Sequence, residues 1–346
     1  MTEPIGIVGY GLYFPSKKMT AADIAAATEG QWTEKAVVEK LGIVEKSIPG
    51  DDDGTQEMGV RAAQDALQRT GVNPLDIDLI LCMGEEWKEY PLTTSGIYIQ
   101  EKIGAHNAWS IDVQQRCNTT VAAIKIACDM MTADPEIKTT MIVGGYRNGD
   151  FIDYTDPAVS FMFNLAAGAG AIILQRGHKK NRILGSHIIT DGSLARDAGV
   201  LLGGTKHPIE NLPEEELAKV RAHGNRTLRV FEPEHMKNRL NEVSMPNWYK
   251  CIDRALEKAG KTRADMGFLN VLHFKPSMYN ALLSDLGLTA EQGVYLDHYG
   301  HVGQVDAVIA MDEGEKQGKL KDGTLMVIIA AGIGYVWGAC VVQWGD

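Results

Sequence analysis

No Cys-X-X-Cys pair occurs in the 346-residue chain, and no histidine or cysteine cluster has zinc-ligand spacing. The five cysteines, Cys82, Cys117, Cys128, Cys251 and Cys340, are scattered, mostly inside apolar runs. An odd number without a framework excludes a disulfide-stapled secreted domain and fits a reducing cytoplasm. Also missing is any apolar run of about 18 residues, the least a membrane helix needs. The opening MTEPIGIVGYG has no basic region, so neither a signal peptide nor a membrane span is expected. Positive charge is in deficit: 34 Lys and Arg against 45 Asp and Glu leave a net charge of −11. That balance excludes broad nucleic-acid binding and docking on an anionic membrane, though not a local basic patch for a phosphate-bearing ligand. What remains is the composition of a soluble globular protein, 45% hydrophobic and 23% charged, long enough for one large or two medium domains.

Residues 110–131, SIDVQQRCNTTVAAIKIACDMM, organise the rest. Ser110 to Val113 reads as a short strand, Gln114-Gln115-Arg116 as a turn, and Cys117 falls where a helix should begin. Asn118-Thr119-Thr120 is capping chemistry, and Val121, Ile124, Ala127, Cys128 and Met131 then recur at three- and four-residue spacing. A thiol at a helix N-terminus, beside Arg116, is biased toward thiolate, the form that acts as a nucleophile. A buried apolar cysteine is the alternative, and this stretch alone leaves both open.

The chain also repeats itself. ALQRTG (66–71) matches ALEKAG (255–260) at an offset of 189, which carries the apolar run 77–83 onto 266–272. At an offset of 185, Asp112 meets Asp297 and TTMIV (139–143) meets TLMVI (324–328). Each half reads strand, helix, strand, helix, strand, helix, strand, strand, with the boundary in the basic loop RGHKKNR (176–182). The expectation is an α/β protein of two related halves, residues 1–178 and 179–346. By the same offsets Glu85 is the partner of Phe274, next to His273, and Arg116 is the partner of His301. Cys117, Glu85, His273 and His301 thus all leave strand ends, where open α/β sheets bind ligands.

These residues resemble the thiolase-fold condensing enzymes, most closely β-ketoacyl-acyl-carrier-protein synthase III. The resemblance runs nearly end to end, through LGIVEK (41–46), IDVQQRC (111–117), FIDYTD (151–156), AAGAGAIIL (166–174), TDGS (190–193), LHFKPS (272–277), LDHYGH (296–301) and AAGIGYVWGA (330–339). It implies the five-layer α-β-α-β-α fold of duplicated halves, with the nucleophile on the first and the catalytic histidines on the second. It also implies a cytoplasmic acyltransferase of fatty acid or polyketide biosynthesis, a homodimer that packs the strand 139–145 against its twin. Coenzyme A or acyl carrier protein would bring the acyl group as a phosphopantetheine thioester, with no tightly bound cofactor and no metal. Cys117 falls on the acyl-accepting nucleophile, His273 on the first catalytic histidine, and His301 where the group usually has Asn. The oxyanion hole falls on the backbone N–H groups of Cys117 and Ile333. The aromatic and arginine that grip the adenine of coenzyme A are unmatched: Pro157 stands at the arginine position and an insertion displaces Trp32. GIVGYGLYFPSKKM (6–19) is similar to archaeal-type hydroxymethylglutaryl-coenzyme A synthase, where a Glu at the position of Glu85 is the general acid/base. Beside acyl transfer to a carbon nucleophile, the alternatives are aldol condensation of the hydroxymethylglutaryl-coenzyme A synthase type if Glu85 points at Cys117, transfer to an amine or hydroxyl, which the 274–276 run permits, and a non-catalytic subunit of an acyltransferase complex. His298 reads as structural. Lys206, Arg221, Arg226, Arg229 and Lys237 read as a solvated face over the substrate entrance.

Overall fold

Leu79–Met83 and Thr139–Tyr146 are buried at every position, which a strand achieves only when both faces of its sheet are covered. The computed structural model describes residues 3–84, 87–223 and 227–346. Nine strands form one hydrogen-bonded sheet among these residues. In chain order they are β1 (Ile5–Tyr13), β2 (Leu79–Met83), β3 (Trp109–Val113), β4 (Thr139–Tyr146), β5 (Gly168–Arg176), β6 (Arg182–Thr190), β7 (Phe268–Val271), β8 (Leu325–Gly332) and β9 (Val336–Gln343). Across the sheet the order is β7-β8-β9-β6-β1-β5-β4-β2-β3.

The pairings repeat. β2 runs parallel to β4, β4 antiparallel to β5, and β5 antiparallel to β1. β7, β8, β9 and β6 follow the same sequence of directions. The two sets meet through a single register pair, Gly6 with Arg182. One expected element differs: the counterpart of β3 in the second set shrinks to an isolated bridge between Leu269 and Gly293.

The principal helices are α1 (Thr55–Thr70), α2 (Ser95–Ile103), α3 (Thr119–Ala133), α4 (Pro233–Lys258), α5 (Pro276–Asp285) and α6 (Asp306–Lys316). α3 touches β2 and β4 on one side and β8, β9 and β6 on the other, while α6 touches both sets likewise. These two helices are the middle layer. α1 and α2 cover the first set of strands from outside, and α4 covers the second. Alternate residues along a strand serve different layers. Ile142 packs in the central core, and Met141 and Val143 pack under α1 and α2. The middle-layer helices each begin where a chemically active loop ends.

One expectation is corrected. Strand 139–145 cannot meet a twin, because β4 lies between β2 and β5 with both edges paired. The unpaired edge on that side is β3. Thr55 is the first residue of α1, and Glu89 accepts from the N–H groups of Gln56 and Glu57 at 2.6 and 3.1 Å. Further back, a helical turn at Glu34–Ala36 is followed by π-helical turns to Leu41 and closes on Gly42. Because a carboxylate at a helix N-terminus satisfies two free donors, Glu89→Ala should cost about 1 kcal/mol of stability, read as a lower urea midpoint.

Candidate active site

The sequence before α3 places Cys117 at the end of a constrained turn. β3 ends at Val113, and the chain turns through a 3-10 segment at Arg116–Asn118, with Arg116 at φ 53°. A non-glycine residue in the left-handed region is costly and persists only where its surroundings fix it. Here Thr119 Oγ1 accepts from Gln115 N at 2.8 Å and donates to Arg116 O at 2.5 Å. Asn118 does not cap α3 through its side chain, which donates instead to Gln115 Oε1 at 2.7 Å. Cys117 is left half-buried at the end of the turn.

Against it stands His301, with Nε2 at 3.0 Å from the Sγ of Cys117. The other ring nitrogen, Nδ1, donates to Asp306 Oδ2 at 2.6 Å. Asp306 opens α6, is itself fully buried, and also accepts from the backbone N–H groups of Val302 at 2.7 Å and His273 at 2.8 Å. Burial opposes a charge on His301, but the neighbouring Cys117 and Asp306 outweigh it and hold the imidazole well above its ordinary range. The result is a cysteine, histidine and aspartate in line, the arrangement that activates a nucleophile through an oriented base.

His273 is in the same place and differently occupied. Its Nε2 is 3.0 Å from the carbonyl of Gly42, and its Nδ1 is 2.9 Å from Asn164 Nδ2. Since a carbonyl only accepts, Nε2 carries the proton, and Nδ1 accepts from the amide. Burial drives His273 down to about 4, so it is neutral at physiological pH. Gly42 must be glycine there: it sits at φ 73°, and a Cβ would lie 1.8 Å from Tyr295 Oη.

The turn between β8 and β9 completes the site. A Cβ on Gly332 would come within 3.1 Å of the backbone nitrogen of Cys117, so only glycine admits this approach, and Ile333 follows it. Cys117 lies between two cavities. One, of 210 Å³, is lined by His273, His301 and Asn164 on one wall and by apolar side chains, Leu240, Trp248, Phe274 and Met278, on another. The other, of 60 Å³, is bounded by Tyr146, Phe151, Met162 and Leu228. A larger open cleft of 850 Å³, lined by Asp51, Arg61, Lys88 and Arg147, contains none of these reactive groups. Among the described residues, no helix is long and apolar enough to cross a membrane.

Residues 111–192 match the family model described as 3-oxoacyl-[acyl-carrier-protein] synthase III, and residues 256–344 match the model of its C-terminal region. The β-ketoacyl-[acyl-carrier-protein] synthase III of Syntrophomonas wolfei is 26% identical over 99% of this chain and 98% of its own. The chain is synthase III-like, a relative of these condensing enzymes. Its fold is theirs: the 3-oxoacyl-[acyl-carrier-protein] synthase III of Aquifex aeolicus superposes with a TM-score of 0.82 at 22% identity, covering 98% of this chain and all of that one. The priming β-ketosynthase of the R1128 polyketide pathway also gives 0.82, at 21% identity, over 100% and 97%.

For a synthase III relative the site has features that the spacing of motifs did not reveal. Asp306 was invisible because it reads as an ordinary acidic first-turn residue; the usable signal was an Asp heading the otherwise apolar DAVIAM. Asn164 and Lys46 were also missed. Lys46 is completely buried, with its ammonium donating to the carbonyls of Phe163 and Leu165, both at 2.6 Å, and to Tyr154 Oη at 2.8 Å. It therefore grips the chain on either side of Asn164, the residue that holds His273 and accepts from His301 N at 2.7 Å. Glu85 lies outside the described residues, as do Arg226 and the side chain of Arg221. His298 is exposed and pairs with Asp297, and Arg229 is bound to Asp156 and Asp153. Trp32 packs edge-on against Phe163 as part of the core fringe.

Burial pushes the amine of Lys46 down to about 7, while the unfolded chain keeps an ordinary lysine. With the folded value depressed, the unfolded state binds more protons between these limits, so stability should rise with pH from about 7 to about 10, by at most about 1.4 kcal/mol per unit. Urea midpoints across that range should show the rise in the wild type and a flatter profile in Lys46→Met.

Proposed function

We propose that Cys117 is the acyl-accepting nucleophile of a synthase III-type condensation. The observation that carries this reading is the 3.0 Å approach of Cys117 Sγ to a histidine held by a buried carboxylate. Thiolate attacks the carbonyl of an acyl thioester, and the N–H groups of Cys117 and Ile333 receive the oxyanion, worth a few kcal/mol each in acyl transfer. The carrier thiol leaves and acyl-Cys117 remains, with its chain in the smaller cavity. A carbon nucleophile, released by decarboxylation of a malonyl group or by deprotonation, then attacks the acyl carbon. His301, protonated and freed from the thiolate, donates to the enolate oxygen. His273 serves in this reading as a neutral wall of the site, since Gly42 and Asn164 occupy its two nitrogens.

The donor is a phosphopantetheine thioester, and relatives named for the acyl carrier protein support this class. Coenzyme A is not held by the family's adenine grip, because Trp32 is packed against Phe163 and Pro157 opens a 3-10 turn. We read residues 1–178 and 179–346 as the two thiolase-like halves, with the repeated strand pairings in support. We further propose a homodimer through the free edge of β3, where Trp109 and Ile111 are exposed beside Ile97. An unpaired edge bearing exposed apolar side chains is a template for a second strand.

Two measurements test these readings. Intact mass after incubation with a panel of acyl-coenzyme A esters and acyl carrier proteins should increase by one acyl group and stay unchanged in Cys117→Ala. No adduct from any donor would end the nucleophile assignment. Ile111→Lys should convert a dimer to a monomer in sedimentation velocity; a wild-type monomer at micromolar concentration would refute the interface.

A further inference from the structure

A nucleophile formed by decarboxylation needs no base, because carbon dioxide leaves its electron pair behind. It needs hydrogen-bond donors for the developing enolate oxygen. Of the two histidines, only His301 can be such a donor, and its setting also suits a base. The N–H of His273 is already given to Gly42, and its second nitrogen is taken by Asn164. His301, in contrast, has its Nδ1–H fixed on Asp306, so that Nε2 alone faces Cys117 and, once deprotonated, is aimed to take a proton there. Asp306 is itself immobilised by two backbone N–H groups. A histidine oriented by a buried carboxylate beside a thioester-forming cysteine is the apparatus for removing a proton from an incoming group.

We propose that the site also passes the acyl group from Cys117 to an O–H or N–H nucleophile, with His301 as general base and Asp306 as its positioning residue. This activity rests on the acyl-Cys117 reading above. The acceptor is an alcohol or amine with an apolar body, because the 210 Å³ cavity that adjoins Cys117 and His301 is walled by Leu240, Trp248, Phe274 and Met278. In the transfer the acceptor heteroatom bonds to the acyl carbon as His301 Nε2 takes its proton. The tetrahedral intermediate then expels Sγ with the electron pair of the carbon–sulfur bond, and the proton on His301 returns to the thiolate. The balance is acyl-S-Cys117 plus R-XH giving acyl-XR plus Cys117 thiol, without oxidant, reductant or metal.

The test uses the full chain, loaded with whichever ester labels Cys117, freed of excess donor, and mixed with benzyl alcohol, benzylamine or a malonyl thioester. Loss of the adduct is followed by intact mass, and the ester or amide by chromatography. The expected result is discharge by benzyl alcohol or benzylamine at least about tenfold faster than in buffer alone, with a rate that climbs with pH to a plateau as His301 loses its proton. Asp306→Asn keeps an oxygen for the two N–H groups but removes the charge. It should lower the plateau by about 10²-fold and move the rising limb to lower pH, since His301 then holds its proton less tightly. An adduct discharged by the malonyl thioester but decaying at the buffer rate with both benzyl probes overturns the inference and leaves the condensation standing. An Asp306→Asn enzyme with an unmoved limb overturns the positioning role, and failure to form any adduct overturns both readings together.

Discussion

The carboxylate of Asp306 is the point on which the site turns. It has four lone-pair positions and no contact with water, and three donors share it: the ring of His301, the backbone of His273 and the backbone of Val302. All three belong to the two loops that carry the histidines, so one buried charge fixes both loops relative to each other and to α6. Its own position at the first turn of that helix places it where a negative charge is favoured. Take the charge away and the His301 ring loses what orients it, while two buried N–H groups lose half their reason to stay where they are.

A buried amine answers it from the other side. Lys46, on the short strand that follows the Gly42 turn, holds the segment 163–165 by its carbonyls. That segment in turn accepts from His301 and donates to His273. The carboxylate and the amine are not paired with each other, yet each binds backbone groups around the same pair of rings. The site is thereby rigid through main-chain contacts and has little dependence on the rotamers of long side chains. Gly42 and Gly332 belong to the same design, because each lets a backbone come closer than any Cβ would permit.

Much of this was legible before any coordinates. The internal repeat announced the paired sheets, since buried strands alternating with helices leave a strong periodic signal and constant offsets align it. Cys117 stood out through its turn and helix, and His273 and His301 through the repeat and the family motifs. What stayed hidden has a common cause. The partners of the histidines are Asp306, Asn164 and Gly42, three residues from three separate segments, with Lys46 bracing the carbonyls beside Asn164, and only tertiary packing brings them together. Glu89 capping α1 from 33 residues away escaped notice for the same reason. The misplaced dimer strand is a different fault. That strand came from the family resemblance, and the pairing of β4 with β2 and β5 leaves it no free edge to offer.

The distribution of the site along the chain has a consequence in time. Cys117 leaves the ribosome 184 residues ahead of His301, and domains fold broadly in the order they are made. Until β7, β8 and α6 have formed, the thiol has no imidazole beside it, no carboxylate behind that ring and no glycine turn across its backbone. A nascent chain therefore carries Cys117 without the neighbours that surround it in the fold. The arrangement is complete only with the last quarter of the sequence, which also supplies much of the wall of the adjoining cavity.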